Sequence, residues 1–183
     1  TGPRIGPSTW GHSQRRIGAA PRGDADGDFV DRPNTSTILG AAKITGRLSS
    51  GTSIGFLSAL TAREHARTFT EPGGSEGGEP AGFGETEVAP LTGVGVLRLQ
   101  QELGANASTV GLSLTGLQRD LSTGDALAQE MTRRAYSGGA DWRLRFRGGD
   151  YVVGGYAGAS HVAGDSAAIR SVQESSARYF QRL

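Results

Sequence analysis

The densest run of residues able to do chemistry is Asp24-Ala25-Asp26-Gly27-Asp28, with Asp31 close behind. Carboxylates at alternate positions can converge on one hard cation, glycine permits the tight turn between them, and Ca²⁺ takes about six to eight such oxygens. The spacing departs from the EF-hand pattern, because Gly27 precedes Asp28 and the twelfth position from Asp24 is Thr35. Two readings stand: a Ca²⁺ site made by Asp24, Asp26, Asp28 and Asp31, or a solvated acidic loop paired with Arg16, Arg22 and Arg32. Ca²⁺ is the one cofactor these residues suggest.

A second set is basic and spread along the chain: Lys43, Arg47, Arg63, Arg98, Arg119, Arg143 and Arg145, with Asp141 among them. Rings of Arg or Lys select anions in pores, whereas cross-strand pairing with Glu64, Glu102 or Asp141 would make the same residues structural. Catalytic patterns are absent from the sequence. His12, His65 and His161 show no ligand spacing, there is no Gly-x-Ser-x-Gly elbow or Walker loop, and no base accompanies Ser113 or Ser160. A net charge of +1 offers no field for nucleic acid.

The elements that must position these residues show in a period of two. From Ser36 to Leu48, Ile38, Gly40, Ala42, Ile44, Gly46 and Leu48 share one parity, and Thr37, Lys43, Thr45 and Arg47 the other. Side chains of a strand alternate between faces, so one face is apolar and its reverse charged. Expected strands lie near 36–48, 53–64, 91–101, 108–119, 135–146 and 151–162. In each, the basic residues above fall on the polar parity. Short connections, Ser49 to Thr52, Glu102 to Ala107 and Arg147 to Asp150, alternate with long ones. The long connection His65 to Glu87 holds a Gly-Glu-Pro stretch from Glu71 to Pro80 and is expected to be a solvated loop. Helical spacing of Ala126, Leu127, Met131 and Ala135 predicts a short surface helix. The stretch Ala163 to Glu174 is expected to be helical or irregular, and Ser176 to Phe180 to open a further strand.

Composition fits a particular kind of sheet. Hydrophobic residues make up 36% of the 183 residues, aromatics 7%, and there are 30 glycines. That is lean for a water-soluble core but adequate for a membrane barrel, where only the outward side chains must be apolar. No apolar run approaches the ~18 residues of a membrane helix, while a barrel strand needs only ~9–11. Alternating short turns and long loops are the barrel pattern too, and Tyr136, Trp142, Phe146 and Tyr151 suit interfacial girdles. The expected architecture is therefore all-β: an antiparallel up-and-down meander of about six long strands, part of a transmembrane β-barrel. Residues 1–35 would form an N-terminal loop segment of extracellular type, and 36–183 the partial barrel. Since the smallest single-chain barrels have about eight strands, the expectation is a piece of a larger wall. A start at Thr1, with neither methionine nor signal segment, is read as processing or as part of a longer chain.

Several stretches resemble one family of bacterial envelope proteins: Arg15 to Gly18, Gly23 to Pro33, Thr37 to Gly46, Ser53 to Gly55, Ala59 to Glu64, and Ser175 to Arg182. The family is domain of unknown function 5916. The resemblance implies an outer-membrane barrel that usually follows a module similar to family 9 carbohydrate-binding domains. It implies outer-membrane lipid as the partner, glycans through a domain outside this chain, and no catalytic residues.

The functional expectation is an outer-membrane barrel segment with a structural or transport role, linked to carbohydrate binding or uptake. One rival is a soluble antiparallel sheet that binds polysaccharide, which would show aromatic platforms flanked by Asp, Asn or Gln. Another is a glycoside-hydrolase-associated protein, needing two carboxylates ~5–10 Å apart. Glu102 and Asp141 are the acids on the polar parity, and neither has an evident catalytic partner.

Overall fold

A computed structural model describes residues 17–71, 82–122 and 124–174. It is all-β with small helical additions: β1 (Phe29–Asp31), β2 (Ile38–Arg47), β3 (Thr52–Thr61), β4 (Glu64–Thr70), β5 (Gly82–Ala89), β6 (Thr92–Leu103), β7 (Ser108–Arg119), α1 (Ala126–Glu130), β8 (Arg134–Phe146), β9 (Tyr151–Ala163) and α2 (Ser166–Glu174). Strands β2, β3, β6, β7, β8 and β9 form one antiparallel sheet in that order, and β1, β4 and β5 form a second. The six expected strands are all present, with ends shifted by a few residues.

Tight turns hold the hairpins at one end. Gly51 takes φ +83 between β2 and β3, where the Leu48 amide donates to the Thr52 carbonyl at 2.8 Å. A positive φ at low cost is what glycine supplies there. The other end is where the long connections gather, and one of them differs from expectation. Residues 65–87 are not a structureless loop: β4 and β5 pair from Glu64–Ala89 out to Thr70–Gly82, and β1 adds to β4 through Phe29–Phe69 and Asp31–Arg67. Alternation explains it. Ala66 and Val88 point into packing and are fully buried, while Arg67, Glu85 and Phe83 point to water. The glycines and prolines between the two strands obscure this period. Those residues, 72–81, lie outside the described residues, as do 1–16 and the further strand expected at 176–180. The N-terminal stretch also contains more than loop, since β1 lies within it.

Register sorts the large sheet into rows. Ile44, Phe56, Leu97, Leu114, Gly138 and Ala159 stand side by side across all six strands, and Gly46, Ile54, Leu99, Leu112, Ala140 and Ala157 form the next row. Among the described strand residues of this face, Arg134 at the start of β8 is the only Asp, Glu, Lys or Arg. Among the described residues nothing packs on it, and Ile44 is 57% exposed and Leu114 44%.

The reverse face is graded along the strands. The row nearest the tight turns that crosses all six strands is Arg47, Ser53, Gln100, Gly111, Asp141 and Tyr156, followed by Thr45, Gly55, Arg98, Ser113, Gly139 and Gly158. Toward the long connections it turns apolar in the row Ala41, Ala59, Val94, Leu117, Ala135 and Val162, before Thr61, Thr92 and Arg119 close the face. Polar parity is therefore an approximation that holds near the tight turns and fails in the apolar row next to the long connections.

Glycine in this sheet makes room for neighbours. Trp142 lies over Gly155 on the apolar face, and Tyr156 lies over Gly139 and Gly158 on the other, each too close for a Cβ. Large side chains thus cover glycines on their own and adjacent strands, which keeps a glycine-rich strand packed. The small true core sits among the long connections, where Leu121, Leu127 and Ala128 are buried together. Both expected helical stretches are present there, as α1 and α2, which contact each other.

Candidate functional site

The charged face is organised by ion pairs that cross strands. Arg98, on β6, donates from Nη1 to Asp141 Oδ1 and from Nη2 to Asp141 Oδ2, the latter at 2.9 Å. Its Nη1 also donates to Ser113 Oγ at 2.8 Å. Two parallel N–H···O bonds fix a guanidinium against a carboxylate more firmly than a point charge would. Asp141 lies on β8, so the contact spans β7, and it passes over Gly111. Near the tight turns, Arg47 Nη2 donates to Glu102 Oε2 at 2.6 Å, joining β2 to β6 across β3.

Arg63 stands just beyond β3 and does not share the strand surface. Its Nη1 meets Glu87 Oε2 at 2.7 Å and its Nη2 meets Asp120 Oδ2 at 2.8 Å. The hydrogen bond and charge of Glu87, helped by Asp120, hold the guanidinium above its ordinary range. One side chain thus ties the small sheet to the connection after β7. Glu64, expected as a partner for strand cations, instead accepts the Thr37 amide at 2.6 Å.

The remaining cations are unneutralised. Among the described residues, Lys43, Arg119, Arg143 and Arg145 have no carboxylate within ion-pair distance. Arg119 Nη1 donates to the carbonyl oxygen of Thr132 at 2.7 Å and to its Oγ1 at 3.1 Å. All four belong to the charged parity, so this face carries more positive than negative charge.

The acidic loop is not gathered. Asp24 stands 3.9 Å from Arg32, Asp28 Oδ2 accepts the Glu71 amide at 2.7 Å, and Asp31 sits in β1 opposite Arg67. Among the described residues no group of three or more His, Asp or Glu side chains is placed to hold a metal ion. The alternation Asp24, Asp26, Asp28 belongs to the approach to a strand, which spreads side chains along a line instead of folding them around a point.

Two features escaped sequence reasoning. Phe29, Phe69 and Phe83 form a row across β1, β4 and β5, with ring centroids 6.2 and 4.9 Å apart; nothing local links residues so far apart. The segment 17–24 also crosses the sheet's reverse face, anchored by the Ser36 amide on the Ala19 carbonyl at 3.1 Å and the Gly23 amide on the Val88 carbonyl at 2.8 Å.

Fold and face together define a class: an antiparallel up-and-down sheet with one exposed apolar face and one ion-paired face. The family model of the Domain of unknown function (DUF5916) matches residues 12–167, and the chain belongs to that family. No curated protein matches the chain, and no solved structure does.

Proposed function

We propose that the six-stranded sheet is part of the wall of a transmembrane β-barrel in a bacterial outer membrane, with a structural or transport role. The observation that carries the reading is the apolar face. Its rows run through six strands with no layer over them among the described residues, and an exposed apolar sheet of that extent is not a stable surface in water. Lipid is the solvent that suits it. Strands of 10 to 13 residues reach or exceed the ~9–11 that a tilted barrel strand requires. Tight turns at one end and long, structured connections at the other match periplasmic and external sides. The outer edges of β2 and β9, which pair with no strand among the described residues, would be costly in lipid, so further strands complete the barrel in this reading.

In the same reading the charged face lines the lumen. Arg98–Asp141 and Arg47–Glu102 brace it, and Lys43, Arg119, Arg143 and Arg145 bias it toward anionic solutes. The link to glycans rests on the family resemblance, through a carbohydrate-binding module elsewhere in the full protein. The test is heat-modifiability on a gel, together with membrane fractionation, for the full-length parent expressed with its own signal peptide. A membrane-bound band that migrates faster unheated than boiled supports the barrel. A soluble protein with no shift overturns it and leaves a soluble binding sheet.

A further inference from the structure

The segment 17–22 does not lie flush on the sheet. Between it and the charged-parity face of β3, β6 and β7 lies a cavity of ≈ 610 Å³, within the ~300–1,000 Å³ usual for small-molecule sites. Its walls are Leu57, Val94, Val96 and Leu117 from the strands, closed by Ile17 and Met131. Two cations, Arg22 and Arg119, also line it. Arg119 is half-buried, its guanidinium donates to Thr132, and among the described residues neither arginine has a carboxylate within ion-pair distance. A half-buried cation such as Arg119 beside apolar walls without a counter-charge is costly unless an anion completes it, and the exposed Arg22 adds a second positive charge at the same end.

We propose that this cavity binds a long-chain carboxylate, with its tail along Leu57, Val94, Val96 and Leu117 and its head group on Arg22 and Arg119. The argument is charge complementarity joined to an apolar chamber. A neutral lipid would leave the arginines unpaired, and a small polar anion would leave the chamber empty. Arg119 is oriented by Thr132, which leaves its Nη2 and Nε donors for a carboxylate, and Arg22 approaches from the crossing segment. The proposal requires only the fold and stands whether or not the opposite face contacts lipid.

The test is photolabelling of the purified full chain, in phosphatidylcholine nanodiscs or in buffer according to where it partitions, with hexadecanoate carrying a mid-chain diazirine. Labelled residues are mapped by mass spectrometry, and hexadecanol with the same diazirine serves as the uncharged control. The expected result is insertion at Leu57, Val94, Val96 or Leu117, competed by unlabelled hexadecanoate. It should fall about tenfold with the alcohol and in Arg22→Gln, as loss of a charge-assisted contact implies. Arg22 is exposed and has no carboxylate partner among the described residues, so that variant keeps the test informative even where Arg119→Gln fails to fold. Labelling confined to Leu97, Leu112 and Leu114 on the opposite face would overturn the proposal, as would equal labelling by acid and alcohol. Absence of cavity labelling would overturn it too.

Discussion

Arg98 and Asp141 clasp each other across an intervening strand, and Gly111 lies directly beneath the clasp. A Cβ built on Gly111 would stand 2.5 Å from Arg98 Nη2 and 2.7 Å from Asp141 Oδ1. The missing side chain on β7 is therefore what lets β6 and β8 communicate. The pair is part-exposed, so its worth lies in register and in orienting the face more than in raw stability.

Gly111→Ala should consequently separate the pair, with flexible ends moving aside instead of the backbone. Its destabilisation, read from urea unfolding, should not add to that of Asp141→Asn, because both remove one contact. Gly40→Ala is the control, since a Cβ there meets nothing within 4 Å. Full additivity of Gly111→Ala and Asp141→Asn would contradict the arrangement.

Gly158 predicts a harsher outcome. A Cβ there meets the Tyr156 ring and lies 3.0 Å from the Gly138 carbonyl oxygen, which is backbone. Gly158→Ala should cost about 1–3 kcal/mol, the usual range for overpacking. Unfolding midpoints for Gly158→Ala and Gly40→Ala, measured side by side, check it; equal midpoints would mean that Tyr156 is free to swing away.

The two faces can be told apart by one residue step. Leu112 belongs to the apolar rows and Ser113 to the charged ones. In a bilayer Leu112→Arg should cost about 2–4 kcal/mol near the midplane, whereas Ser113→Arg should cost much less. Refolding titrations into lipid vesicles measure both, and equal tolerance would remove the lipid-facing assignment.

Arg63 predicts local unfolding. With its bonds to Glu87 and Asp120 gone, Arg63→Gln should loosen the β4–β5 hairpin without melting the large sheet. Chymotrypsin should then cut sooner at Phe83, which is already 90% exposed. High salt should bring the wild type toward the variant, because partly exposed ion pairs are screened. An unchanged digestion rate would show that Ala66 and Val88 hold the hairpin unaided.

Much of this was legible residue by residue. Alternation such as Thr109, Val110, Gly111, Leu112, Ser113, Leu114 and Thr115 is a property of neighbours, so β7 was bounded at Ser108 and Arg119 from the chain alone. The tight turns, the short helix after β7 and the apolar-versus-charged partition followed from equally local signals. A period of two assigns each side chain to a face before any strand finds its partner.

Tertiary structure decided whatever depends on which strands meet. Local pattern does not distinguish Arg98, which finds Asp141 43 positions along the chain, from Arg143, which meets no carboxylate among the described residues. Nor does it distinguish a solvated connection from the β4–β5 hairpin, or show the segment 17–24 crossing the sheet above Leu57 and Val94. The reason is physical: side-chain direction is set by adjacent peptide units, whereas charge pairing and cavity shape are set by register between distant strands. The sequence alone thus determined the strands and their faces; the fold decided which charges are neutralised and where space is left.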